Sequence, residues 1–123
     1  MSDEINAEKG YKRLRVWKEA HEFVISIYKV TKTFPKEELY GLTSQLRRAA
    51  VSIPANIVEG QARSYKKEFR QYLYVANGSL VEVEYYMQLS LDLEYITPSE
   101  YERLNEKRRT IGYMLHSLIQ SIQ

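Results

Sequence analysis

The chain has 123 residues, 44% hydrophobic and 28% charged, which suits one soluble domain, 1–123, built on a single core. It contains no cysteine, which excludes a disulfide scaffold, a thiol nucleophile and cysteine-ligated zinc and fits a reducing cytoplasm, the expected location. Eighteen basic residues against sixteen acidic leave a net charge of only +2, so binding to nucleic acid would need local clustering rather than bulk charge.

No apolar run approaches the ~20 residues that span a bilayer, and the acidic start Met1-Ser-Asp-Glu4 does not read as a signal peptide. Residues 1–12 are expected to form a flexible tail, polar as far as Gly10. A first helix begins near Leu14. Its stripe of Trp17, Ala20, Val24, Ile27, Thr31 and Phe34 repeats at alternating three and four until Pro35 stops it. Lys36 to Gly41 connect it to a second helix, which runs from Leu42 to about Gly60 or Ala62. Ser64 is a candidate cap for the third helix, from about Tyr65 to Leu93, with Phe69, Leu73, Ala76, Leu80, Val83 and Met87 facing inward. Thr97-Pro98-Ser99-Glu100 is a capping box with proline at the first helical position. It opens a fourth helix whose inner stripe is Tyr101, Leu104, Arg108, Ile111, Leu115, Leu118 and Ile122. Four helices with short connections predict an all-α fold, an antiparallel up-and-down four-helix bundle of left-handed twist.

The second helix is the most unusual stretch. Leu42, Leu46, Ala49, Ile53 and Gly60 share its core face, and small Ala49 and Gly60 allow close backbone approach. Gln45, Arg48, Ser52, Asn56, Glu59 and Arg63 run along one edge of that face as a structural polar ladder. Unpaired polar groups beside a core cost roughly 1–3 kcal/mol, so these side chains are expected to bond to one another and across to Glu82 on the third helix. The ladder should include an i,i+4 pair of Glu59 with Arg63, and Arg48 or Arg63 should reach Glu59 or Glu82. Pro54 removes the donor to the Ala50 carbonyl and predicts a kink or break near Ile53, with Asn56 bonding backbone there.

Read from Gln45 to Arg63, Q-x-x-R-x-x-x-S-I-x-x-N-I-x-E-G-x-x-R resembles the signature of the bacterial four-helix-bundle (S23-type) proteins found in intervening sequences of 23S ribosomal RNA genes, and the likeness continues through Phe69, Ala76, Ser79 and Glu82. The resemblance implies a bundle that assembles into a ring, usually a pentamer. It also implies a distant similarity to the accessory variability determinant proteins of diversity-generating retroelements, which bind nucleic acid. The family has no established enzymatic activity.

Catalytic chemistry is hard to find. His21 and His116 lie far apart with no H-E-x-x-H or E-x-x-H spacing, and Gly41, Gly60, Gly78 and Gly112 are isolated rather than grouped in a phosphate loop. Glu59 and Glu82 offer a conceivable acid–base pair, but arginine neutralisation within the ladder is the stronger reading. No catalytic residue, metal ligand or cofactor is assigned, and the chain is not expected to be an enzyme. Two functions stay open. In one, RNA or DNA binds weakly specific basic clusters, namely Lys9, Lys12, Arg13, Arg15 and Lys18, then Lys66, Lys67 and Arg70, then Lys107, Arg108 and Arg109, with Tyr11 and Tyr65 available to stack. In the other, the protein is a structural or adaptor ring for another protein, for example a nearby-encoded reverse transcriptase. Both rest on a homo-oligomer, because the third helix carries a second apolar stripe, Tyr74, Gly78, Val81 and Tyr85, opposite its core face. The second helix likewise turns Val51, Pro54 and Val58 outward, so two unlike surfaces could meet head to tail and close a ring.

Overall fold

In a computed structural model, which describes residues 10–122, helix α1 spans Arg15–Thr31, α2 Leu42–Gln61, α3 Lys66–Asp92 and α4 Pro98–Ser121. Each helix packs on its neighbour in sequence and α1 closes on α4, whereas the diagonal pairs do not meet. This is a square, up-and-down four-helix bundle. Its core is the set of side chains that the heptad-like spacings bring inside: Phe23 and Ile27 of α1, Leu46, Ile53 and Ile57 of α2, Leu73, Val83 and Met87 of α3, Leu104, Ile111 and Leu115 of α4. Each such side chain contributes about 1.5–3 kcal/mol by leaving water. Trp17 and Val24, expected inside, lie only partly buried at the edge, and Val16 and Phe23 take the interior instead. Residues 10–12, assigned to the tail, belong to a 3-10 turn, Gly10–Arg13, packed on α1 and α2, while residues 1–9 lie outside the described part.

The helix ends depart from the sequence reading in instructive ways. α1 stops at Thr31, where the hydroxyl donates 2.7 Å to the Ile27 carbonyl, and Phe34 turns into the core beside Tyr95. Proline at 35 disfavours helical backbone at Phe34, so the helix yields before reaching it. Pro54 breaks nothing: α2 is continuous from Leu42 to Gln61, and the proline ring, expected to face outward, is buried. Packing on both sides of α2 outweighs the one missing backbone bond. Ser64 makes no cap, since the residue before α3 is Tyr65, in extended conformation and without a side-chain capping bond. The Thr97–Glu100 capping box forms in full, with Glu100 N–H donating to Thr97 Oγ1 at 3.1 Å and Thr97 N–H to Glu100 Oε1 at 2.9 Å.

α3 ends on a left-handed turn that contains no glycine. Tyr95 N–H donates to the Ser90 carbonyl and Glu94 N–H to that of Leu91, the paired bonds of a Schellman motif, with Glu94 at φ 63°. A side chain in that region costs roughly 1–2 kcal/mol, of which glycine returns part as chain entropy. Glu94→Gly is therefore expected to stabilise the protein by about 0.5–1 kcal/mol, read as a higher urea midpoint with an unchanged slope. A lower midpoint would count against the motif.

At the same end Glu38 ties two connections together. Its Oε1 accepts the Leu42 N–H at 3.0 Å, capping α2, and its Oε2 accepts the Tyr95 hydroxyl at 2.9 Å. The Leu42 amide first, then the Tyr95 hydroxyl, hold its carboxyl below the ordinary 4.5, and the same bond raises Tyr95 above 10.0. The carboxylate's contribution is thus present above its unfolded pKa and lost as pH falls through the lowered folded value; that of the neutral tyrosine is lost as pH rises beyond 10.0. Melting curves of wild type and Glu38→Gln should differ near neutrality and converge below pH 4.5. A gap that persists in acid would remove the charge from the explanation.

Candidate functional site

The polar ladder lies at the seam between α2 and α3, and hydroxyls rather than ion pairs close it. The buried Ser79 Oγ donates to Ser52 Oγ at 2.7 Å, and Asn56 Nδ2 donates to Ser52 Oγ and to the Ser52 carbonyl at 3.0 and 2.8 Å. Asn56 thus bonds backbone two residues before Pro54, at Ser52 rather than at Ala50. The Tyr86 hydroxyl donates to Glu82 Oε2 at 3.1 Å and lies 3.4 Å from Gln45 Oε1. Arg63 does not pair with Glu59: its Nη2 donates to the Tyr72 hydroxyl, with the guanidinium 4.8 Å above that ring. Neither Arg48 nor Arg63 reaches Glu59 or Glu82, and Arg108 with Glu84, at 3.5 Å, is the ion pair among the described residues. Close helix contact explains the difference. A Cβ placed on Gly60 would stand 2.8 Å from Tyr72 Cβ and 2.9 Å from Phe69 Cδ1, so only short side chains fit between the backbones and the long ones point past the seam. Gln45, Arg48, Ser52, Ser79 and Glu82 line a polar cleft of about 230 Å³ at its mouth.

Two of the three basic clusters come to one end of the bundle. There α1 begins, α2 ends and α3 begins, with Gly10 against Gln61. Arg15, Lys18, Lys66 and Lys67 are exposed at that end, as is Tyr65, while Glu59 and Glu68 sit on neighbouring turns. Arg70 is spent internally, donating 3.1 Å to the Ile122 carbonyl. Lys9 and the side chains of Lys12 and Arg13 fall outside the described part. The third cluster is on the flank: Arg108 engages Glu84 and Asn105, Arg109 is exposed, and Lys107 lines a groove between α1 and α4 with Lys29 and Arg103. Facing away from the core, α3 exposes Tyr74 at 50%, Val81 at 59% and Tyr85 at 61%, with nothing within 4 Å of the Gly78 Cβ position. On α2, Val51 is 40% exposed and Val58 half-buried.

The model of the 23S rRNA-intervening sequence protein family matches residues 12–117, which include the whole seam and both helices that form it. The chain belongs to the 23S rRNA-intervening sequence protein family. A solved structure from Bacteroides thetaiotaomicron VPI-5482, described as a protein of unknown function from the S23 ribosomal protein family, is 30% identical. The match covers 85% of this chain and 95% of that one, with a TM-score of 0.79. Among curated proteins none matches the chain.

In this member of the 23S rRNA-intervening sequence protein family, one group of residues was not anticipated from the sequence. Tyr28, Leu39, Tyr40, Thr43, Ser44, Arg47 and Arg48 line a cleft at the start of α2, at the end of the bundle opposite the basic cluster. Arg47 is fixed there: Nε donates 2.8 Å to Thr31 Oγ1, Nη2 donates 3.4 Å to the Tyr28 carbonyl, and its guanidinium lies 4.5 Å over the Tyr28 ring. One sequence signal could have found the cleft, since Leu39 to Val58 carry two arginines and no acidic residue. Elsewhere, His21 stacks on Trp17 and His116 is exposed. Among the described residues no group of histidine, aspartate and glutamate converges on a metal site, and no helix is long and apolar enough to cross a membrane.

Proposed function

We propose that the protein is a non-catalytic, cytoplasmic homo-oligomer that binds RNA or DNA through the basic end of its bundle. The observation that supports this reading is that Arg15 and Lys18 at the start of α1 and Lys66 and Lys67 at the start of α3 are all exposed at the same end of the bundle, with Tyr65 beside the second pair. Four cations on one copy would bind weakly. Repeated around a symmetry axis they sum their phosphate contacts without a large charge on each chain. The unpartnered apolar face of α3 supports assembly, and resemblance to the S23-type proteins supports a pentameric ring. A second reading, an adaptor ring for another protein, draws on Arg70 and Arg108, whose charges are already committed within the bundle.

The test is a titration of dye-labelled structured RNA and of duplex DNA at low and moderate salt, with Lys66→Ala/Lys67→Ala beside wild type. Binding at low salt that weakens steeply with salt is expected, and the double variant should flatten the log–log slope by about two for each subunit that touches the nucleic acid. No shift at micromolar protein even at low salt would reject nucleic acid and leave the adaptor reading.

A further inference from the structure

We infer that the cleft at the start of α2 is a stacking site for an unpaired nucleotide of single-stranded RNA or DNA, an inference that deepens the nucleic-acid reading while using the opposite end of the molecule. Its chemistry is that of a base and a phosphate. Tyr40 is 93% exposed, the most exposed of the large hydrophobic side chains, and so offers its ring to a partner. Tyr28 has one face covered by Arg47, and the bonds from Arg47 to Thr31 and to the Tyr28 carbonyl hold both in place before any ligand arrives. Preorganisation of that kind lowers the entropic cost of binding. Arg48 lies beside them, exposed and without a bonding partner among the described residues, and the Ser44 hydroxyl is half-buried next to it.

The surroundings favour an anion with an aromatic face. No carboxylate lines the cleft, and Glu38, next in sequence to Leu39, is bonded to Leu42 and Tyr95. The volume, about 300 Å³, suits a nucleotide. Duplex does not fit this pattern, since its bases are already stacked, whereas unpaired bases lie readily on tyrosine or arginine planes. A protein partner would need a larger apolar floor than Leu39, the one aliphatic residue in the lining. The 20 residues of α2 put roughly 30 Å between this cleft and the basic end, so the two sites can be tested separately.

Fluorescence anisotropy at low salt, using labelled oligo-deoxythymidine of about 12 nucleotides and a blunt duplex of equal length, separates them. Tyr40→Ala is expected to weaken single-strand binding at least about 5-fold and leave duplex binding unchanged. Tyr40→Phe should bind as wild type, and Arg48→Ala should weaken the single strand and lower its salt slope by about one. Because Tyr40 is exposed, circular dichroism should be the same for all variants. Single-strand affinity unchanged in Tyr40→Ala, or lost equally in Tyr40→Phe, overturns the inference. If wild type binds neither ligand, this inference and the basic-end reading fall together. Tyr40-dependent single-strand binding that survives Lys66→Ala/Lys67→Ala upholds the inference and counts against the basic-end reading alone. A Tyr40-dependent complex with a protein, in the absence of single-strand binding, overturns it in favour of that partner class.

Discussion

Val81→Arg combined with Tyr85→Glu is expected to yield a monomer whose helices stay intact. Both side chains are more than half exposed on the single chain, so their replacement removes no core contact and puts two charges where a partner's apolar surface would lie. Gly78, one turn before Val81 in the same stripe, strengthens the case. Glycine inside a helix costs about 1 kcal/mol relative to alanine, and nothing in the monomer approaches its Cβ position to justify it. Contact with another subunit's backbone would. Even if the introduced arginine and glutamate pair with each other across one turn, desolvating both in such an interface costs several kcal/mol, enough to shift the assembly by orders of magnitude. Multi-angle light scattering with circular dichroism reads both halves of the expectation. A monomeric wild type would end the oligomer proposal, and an unchanged assembly in the double variant would move the interface off α3.

Gly60→Val should be the most damaging substitution along the seam. The contacts a Cβ would meet at 2.8 and 2.9 Å belong to the root of Tyr72 and the ring of Phe69, and the Phe69 carbonyl follows at 3.3 Å. None of these is the loose end of a side chain, so α2 and α3 must separate and the Ser52–Ser79 bond must stretch with them. Overpacking of this kind costs about 1–3 kcal/mol, of which the better helix propensity of a non-glycine residue offsets only a few tenths for valine. Gly60→Ala should lose less, as its single methyl demands the smallest shift. Urea unfolding gives the comparison directly, and a Gly60→Ala protein more stable than wild type by the full ~1 kcal/mol of regained helix propensity would show that the helices are not held by this contact.

The contrast between the ladder and the capping box shows where sequence reading reaches its limit. Thr97 and Glu100 could be read from the sequence because both partners sit on one turn, and local geometry alone brings them together. The four-helix bundle was legible for a similar reason: apolar spacing of three and four repeats along each helix, whatever lies opposite. Cross-helix partners depend on how far one helix slides along another. Spacing put Arg63 and Glu59 on one face, yet register brought Tyr72 to Arg63, and Glu59 was left in solvent. The Tyr28–Arg47 stack was hidden likewise, because its members come from different helices 19 residues apart. The end of α3 was read to within one residue, Leu93 against Asp92, but its left-handed turn was hidden for the opposite reason: it is built from Glu94, where a glycine would have marked it.

Chain connectivity and packing together suggest an order of assembly. The most extensive contact in the bundle is between α2 and α3, and these two helices are joined by the shortest connection. The closing of α1 on α4, by contrast, brings together the two ends of the chain. Contacts near in sequence form with the smallest loss of chain entropy, so the α2–α3 hairpin is expected to be structured in the folding transition state and the α1–α4 seam to zip afterwards. Conservative truncations such as Ile57→Val should then slow refolding, whereas Ile111→Val should chiefly hasten unfolding. On this ordering, the seam carrying the family's polar signature is also where the molecule begins to fold.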